Sequence, residues 1–327
     1  MRIYKINLIP YGFMTAFPDS QTIFGAICWA IRELYGEEEL EQLLDNFKEH
    51  ENRFIVSSSF MDGLFKASIM NWAKLDEIIE IGNRVGVKGS QLAVRSKSLK
   101  KIEYFSEVLF RDYLKGEIGR LDLVEGIISQ NDKYELNRNI LHYRGEEIPS
   151  IDYYEENVRR NFINRLSGTT DEGQLFYYKR IYITPNSKLY FLMKTENINY
   201  FLPVFKYMSD TGIGGDKSVG ANSFKVSFES EFKYEKYMEE NILLSKYIPY
   251  YEEVYWDKSF YSIIMEQCMV ESRHEFHGED IVKIQVGYIG EGSKLVLKQY
   301  KDIYGRLPIV KEIGDKKIRQ NGLAFFL

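Results

Sequence analysis

Residues Ser209 to Phe224 read SDTGIGGDKSVGANSF, and what this stretch is decides how the rest of the chain is read. Gly212, Gly214, Gly215 and Gly220 fall within nine residues, around Asp216, Lys217 and Ser218. Glycines this dense let a backbone turn through positive φ and bring bare N–H groups close to phosphate oxygens. The alternative is a long connection that needs glycine only for its turns. Working outward, Asn197 to Met208 has the apolar spacing of a helix, and Phe224 to Phe228 alternates like a strand. The order is therefore helix, loop, strand. A Walker A loop needs glycine before Lys217-Ser218, where Asp216 stands, and a dinucleotide fingerprint from Gly212 needs glycine at 217. Both of those motifs also run strand, loop, helix. The stretch is therefore not an ordinary nucleotide-binding loop, and it stands before the last strand of a unit.

Upstream, Arg2 to Ile9 alternates polar and apolar residues as a first strand. Asp19-Ser20 offers an N-cap for a helix with Ile23, Ile27, Ala30, Ile31 and Leu34 on one face. Gly25 inside that helix predicts close contact with a neighbouring element. Glu37 to Asn52 reads as an acidic helix, Arg53 to Phe60 as a strand, and Asn71 to Ile81 as a helix. Gly82 to Lys101 has no clear period and is expected to be loop; Tyr104 to Leu114 is expected to be a short helix. Gly116 to Pro149 reads as irregular, and Ile151 to Leu166 has helical character at its end. Tyr178 to Thr184 and Lys188 to Lys194 read as a hairpin turning at Pro185-Asn186-Ser187.

This order predicts an α+β protein with a ferredoxin-like (RRM-like) βαββαβ core and a large insertion between its second and third strands. Residues 1–235 would form that domain, with the insertion at about 84–176 and the glycine loop at 209–224. Residues 236–327 would form a smaller β-rich or ferredoxin-like domain, with strands at Ile281 to Ile289, Ser293 to Leu297 and Leu323 to Phe326.

Composition narrows the function classes. The chain has 327 residues, 44% hydrophobic and 28% charged, with a formal net charge of −5. That charge argues against a free-standing nucleic-acid binder with a basic surface. It permits a local basic groove, since phosphates sense charge within a Debye length of about 8 Å. Basic residues gather at Lys88 to Lys101 and Arg159 to Arg165, acidic ones at Glu37 to Glu51 and Glu229 to Glu240. Cys28 and Cys268 are expected as buried thiols in a reducing interior. The longest apolar stretch, Ile23 to Ile31, is nine residues, too short to span a bilayer, and the first residues form a strand instead of a leader. A cytoplasmic protein without membrane contact is expected.

Several stretches coincide in order: DSQTIFGAI, RRNFINRLSGTTDEGQLF, GIGGDKSVGANSF and the terminal IRQNGLAFFL. Together they resemble the RAMP superfamily of CRISPR proteins, and within it the group that forms the fourth subunit of the type III-A Csm complex. The resemblance spans nearly the whole chain. It implies a non-catalytic RNA-binding subunit that holds the 5′ tag of crRNA, with a thumb-like hairpin in the insertion that bends the RNA. It also implies two protein partners, a large cyclase-like subunit and the backbone RAMP subunits, and no cofactor. The residues independently offer the chemistry: RNA with splayed bases is held by phosphate contacts and by stacking on aromatic or arginine side chains. The candidate RNA-binding set is Lys88, Arg159, Arg160, Asn161, Arg165, Gly212, Gly214, Gly215, Lys217 and Ser218.

The competing reading is a RAMP-type endoribonuclease that processes precursor crRNA, which needs a general acid and base. Of His50, His142, His274 and His277, His142 beside Tyr143 and Arg144 is the candidate catalyst. His274 and His277, with Glu275 and Asp280, lack the spacing of a zinc helix. A protein adaptor without RNA contact is the third class, favoured by the net charge and opposed by the glycine loop.

Overall fold

The computed structural model describes the backbone of residues 1–69, 72–131, 133–148, 153–163, 166, 169–184, 187–237, 239–271 and 280–327, with the side chains of 162 and 170–174 left out. The strands are β1 (Arg2–Pro10), β2 (Phe54–Val56), β3 (Phe60–Met61), β4 (Leu64–Lys66), β5 (Tyr104–Ser106), β6 (Tyr134–Asn137), β7 (Ile140–Tyr143), β8 (Tyr153–Ile163), β9 (Thr170–Ile183), β10 (Leu189–Thr195) and β11 (Phe224–Glu231). The helices are α1 (Ser20–Tyr35), α2 (Glu37–Asp45), α3 (Leu75–Arg84), α4 (Gly89–Ser98), α5 (Glu107–Leu114), α6 (Arg120–Ser129) and α7 (Ile198–Thr211).

Alternation in β1 sends Ile6 and Leu8 into the core, and it pairs antiparallel with β10 on one side and β11 on the other. The central sheet runs β11-β1-β10-β2, with β3 also on β10. α1 covers it with Ile23, Phe24, Ile27, Ala30 and Ile31, and α7 with Phe201, Val204, Phe205 and Met208. The Asp19 carboxylate accepts the Thr22 N–H at 2.8 Å and so caps α1, as the sequence predicts. Gly25 departs from expectation: a Cβ there would meet nothing within 4 Å.

The chain leaves this sheet after β3 and returns at β10. Between them lies a second sheet, β4-β5-β7-β6, packed with α3 to α6, and then the two-stranded ribbon β8-β9. Four expectations are corrected here. Gly82 to Lys101 contains α4 and a 3-10 turn at Leu99–Lys101; its apolar positions are few because α4 buries no residue fully. The stretch from Gly116 to Pro149, expected to be irregular, contains α6, β6 and β7 among its described residues, held by Leu123, Val124, Ile128 and Leu141. The helical character assigned to the end of Ile151 to Leu166 gives way to β8, because β9 supplies a partner along its length. Tyr178 to Thr184 does not pair with Lys188 to Lys194: it belongs to β9 and pairs with β8, while β10 enters the central sheet. Period-two patterning identifies a strand but not its partner.

The C-terminal region contributes short strands β12 (Asn241–Ile242), β13 (Ile263–Glu266), β14 (Val286–Ile289), β15 (Lys294–Leu295), β16 (Gly305–Arg306), β17 (Ile309–Ile313), β18 (Lys316–Arg319) and β19 (Gly322–Leu323), paired in twos. Ile242, Leu244, Phe325 and Leu327 join the same hydrophobic core as the central sheet. A half-buried ion pair reinforces this docking: Lys246 Nζ lies 2.6 Å from Asp19 Oδ2, and it also meets Glu266. Burial pulls the Asp19 carboxyl upward, but the Lys246 ammonium outweighs it and holds the group below its ordinary value. Cys28 is half-buried, and burial pushes its thiol up; Cys268 is exposed, against expectation, in the β13-to-β14 connection.

Candidate nucleic-acid interface

The glycine stretch is built on the end of α7. Gly212 caps the helix with φ 78° and ψ 175°, and its N–H donates to Met208 O at 2.9 Å. That conformation is open to glycine and little else. A Cβ at Gly212 would also stand 2.8 Å from Asn222 O, and one at Gly214 would stand 3.1 Å from the Thr22 methyl. Asp216 and Asn222 are themselves left-handed, at φ 57° and 58°.

Asn222 is the clasp. Its N–H donates to Phe13 O at 3.0 Å, and its O accepts the Ile213 N–H at 2.9 Å. Its Oδ1 accepts the Thr15 N–H at 2.9 Å, and its Nδ2 donates to Gly215 O at 2.9 Å. The loop is thereby fastened to the turn after β1. The base of the ribbon joins the same turn through reciprocal bonds between Met14 and Ile181, both 2.8 Å.

Three segments therefore converge: the turn at 11–15, the glycine loop and the ribbon base. The register of β8 and β9 puts Tyr154, Glu156, Val158 and Arg160 on one ribbon face with Tyr182, Arg180, Tyr178 and Phe176. The Arg160 guanidinium lies 4.0 Å from the centre of the Tyr178 ring, and Arg180 lies 4.6 Å from that of Phe13. Phe13 meets Tyr178 edge-on at 6.1 Å, and Tyr154 stacks on Tyr182 at 5.0 Å. The buried Nε of Arg180 has no hydrogen-bond partner among the described residues. Burial, and then the neighbouring Asp216 carboxylate, push the Tyr178 hydroxyl above its ordinary range. Asp216 thus faces Tyr178, the ring on which Arg160 lies. Cation–π pairs of this kind present positive charge and a flat apolar face together, the combination that grips a phosphate and stacks a base.

The predicted residues distribute unevenly. Arg160 joins this face; Arg159 and Asn161 point to the opposite ribbon face, where Arg159 lies 5.9 Å from the Tyr177 ring centre. Arg165 lies outside the described residues, as do His274, Glu275 and His277. Gly215 and Ser218 are exposed in the loop, while Lys217 is ion-paired to Glu271 at 2.9 Å. Lys88 is exposed at the N-cap of α4, which packs on α3 and α6 in the inserted unit. Phe13, Tyr178, Arg180 and Asn222 escaped sequence reading. The alternation of YYKRIYI at 177–183 already places Tyr178, Arg180 and Tyr182 on one face, but only the pairing with β8 brings Arg160 alongside.

His142 is buried on β7 in the inserted sheet, with Nδ1 2.8 Å from Tyr143 O. A catalyst must reach substrate, and this ring reaches only core. Asp280 is exposed and paired with Lys311 at 2.7 Å. Among the described residues no cluster of three or more His, Cys, Asp or Glu could hold a metal ion, and no helix is long and apolar enough to cross a membrane.

A curated relative from Thermococcus onnurineus (strain NA1), the CRISPR system Cms protein Csm4, is 26% identical over 259 residues, covering 78% of each chain. Its namesake from Methanocaldococcus jannaschii is 25% identical over 229 residues, 63% of this chain and 57% of that protein. Among solved structures, a Csm3-Csm4 subcomplex of the type III-A CRISPR-Cas interference complex contains a chain that matches with TM-score 0.62 at 18% identity, over 100% of this chain and 98% of that one. A Csm1-Csm4 cassette in complex with pppApA contains another, at TM-score 0.58 and 19% identity, over 100% and 97%. These structural likenesses speak for the fold. The RAMP superfamily profile matches residues 19–225, from the cap of α1 to the start of β11, and the chain belongs to the RAMP superfamily, where its similarity is to Csm4.

Proposed function

We propose that the chain is a non-catalytic RNA-binding subunit of a type III-A CRISPR interference complex in antiviral defence. It holds the 5′ tag of crRNA and links the large cyclase-like subunit to the filament of backbone subunits. The observation that carries this reading is the convergence of the glycine loop with the Arg160–Tyr178 and Arg180–Phe13 pairs on one edge of the fold. Phosphates meet backbone N–H groups and guanidinium there, and bases meet tyrosine faces, so a single strand can be held without chemistry. The names of the similar structures, Csm1-Csm4 and Csm3-Csm4, support two protein partners.

The same reading treats the sheet as a ferredoxin-like core. The order β11-β1-β10-β2, with α1 before β2 and α7 before β11, supports it. Residues 1–235 form this unit, with the ribbon β8-β9 as the thumb-like hairpin, and residues 236–327 a smaller β-rich unit that shares its core.

The test uses the assembled complex carrying Arg160→Glu and Arg180→Glu, with the bound RNA recovered and sequenced from its 5′ end. Loss of the repeat-derived tag with subunit stoichiometry preserved is expected. Intact tags in a fully assembled variant complex would sink the reading.

A further inference from the structure

We propose that Glu271 is a built-in competitor for the RNA at the glycine loop, occupying Lys217 in the free protein and surrendering it to a phosphate. This rests on the RNA-binding reading above and names how that site is regulated. Lys217 opens the 3-10 turn Lys217–Val219, flanked by left-handed Asp216 and Gly220, so the loop geometry fixes where its stem begins. Its ammonium lies 2.9 Å from Glu271 Oε1, with side-chain exposures of 21% and 34%, low enough for the pair to be sheltered but open enough for exchange with a ligand.

Glu271 comes from outside the glycine loop and far along the chain. It follows Val270, whose N–H donates to Ile281 O at 2.8 Å beside the Met269–Val282 bridge. The carboxylate is therefore delivered by a paired segment of the C-terminal unit. A carboxylate presents the same two-oxygen anionic face that a phosphodiester presents, so the two compete for one ammonium. Binding a phosphate at Lys217 must first break the internal pair, which lowers apparent affinity and couples RNA occupancy to the C-terminal hairpin.

An exposed or half-exposed pair of this type corresponds to about a twofold to fivefold effect on the competing equilibrium. Each phosphate contact made by a lysine on single-stranded nucleic acid steepens the dependence of log K on log salt by about 0.7.

The experiment measures anisotropy of a labelled oligouridylate with the full chain over a salt series, for wild type, Glu271→Gln, Lys217→Gln and the double variant. Glu271→Gln is expected to tighten binding about twofold to fivefold with a steeper salt slope, and to add nothing once Lys217 is Gln. An equal gain from Glu271→Gln in the Lys217→Gln background would show a general charge effect and overturn the competitor. RNA binding unchanged by Glu271→Gln would overturn it too while leaving the RNA-binding reading intact. No binding by any of the four proteins would overturn both.

Discussion

Gly212 and Gly215 lie three residues apart in one loop, and the structure predicts opposite outcomes for Gly212→Ala and Gly215→Ala. At Gly212 the backbone sits at φ 78° and ψ 175°, a region that costs a residue with a Cβ about 1–3 kcal/mol. The new methyl would also stand 2.8 Å from the Asn222 carbonyl oxygen, a backbone atom held by the Ile213 N–H and unable to step aside. Overpacking of that kind adds about 1–3 kcal/mol. The sum for Gly212→Ala is a loss of at least about 2 kcal/mol. Gly215 lies outside the left-handed region, and a Cβ there meets nothing within 4 Å. Gly215→Ala is therefore expected to be neutral, or to stabilise by about 0.4–1 kcal/mol by restricting the unfolded chain. Urea denaturation of both variants under matched conditions, with equal m-values required for the comparison, gives the two numbers. The same proteins then go into the RNA anisotropy assay, joined by Gly215→Leu. If the loop's open side receives a phosphate backbone, Gly215→Leu weakens RNA binding without lowering stability. A Gly212→Ala protein as stable as wild type would refute the strain argument. A Gly215→Ala protein that unfolds more than about 1 kcal/mol more easily would refute the claim of open space.

Further outcomes follow from the same geometry. Asn222→Ala removes the side-chain bonds to Thr15 and Gly215 and is expected to cost about 1–3 kcal/mol in denaturation, with RNA affinity falling alongside. Burial, and then the neighbouring Lys236, lower the Lys194 ammonium to about 8 in the folded protein, against 10.5. Between those two values the unfolded chain holds more protons, so this group makes stability rise with pH by at most about 3 kcal/mol. The stability of Lys194→Met relative to wild type should therefore fall as pH climbs from 8 to 10, and a pH-independent difference would contradict the assignment. His142→Ala is expected to destabilise by about 1–3 kcal/mol through loss of core packing. Neither it nor the wild-type protein is expected to cleave a repeat-containing RNA; specific cleavage by wild type that this substitution abolishes would restore the endonuclease reading.

Some of this was legible in the chain itself. Local signals read through directly: the Asp19 cap of α1, the helix α7, the final strand β11, and a glycine loop in helix–loop–strand order. Capping, helical period and glycine's freedom at positive φ act within a few residues, and a sequence states them outright. The inserted region was harder, because α4 buries no residue fully and so shows no amphipathic stripe. Exposure of Cys268 was likewise invisible, since an apolar neighbourhood in sequence does not say that the residue falls in a solvent-facing connection between strands.

The site lay mostly beyond reach of the sequence. Glycine density marked the loop, but its meaning depends on what stands opposite. Arg160 lies on the ribbon face packed against the loop and Arg159 on the other because strands β8 and β9 pair in one register, and a slip of one residue would exchange them. Asp216, a carboxylate amid the glycines of the loop, faces Tyr178, with Arg160 on that ring, and Lys217 meets a carboxylate 54 residues away. The chain alone dictates local conformation, set by contacts a few residues apart. Which charges and rings share a surface is a tertiary matter, because it depends on strand pairing and loop closure between segments that carry no record of one another.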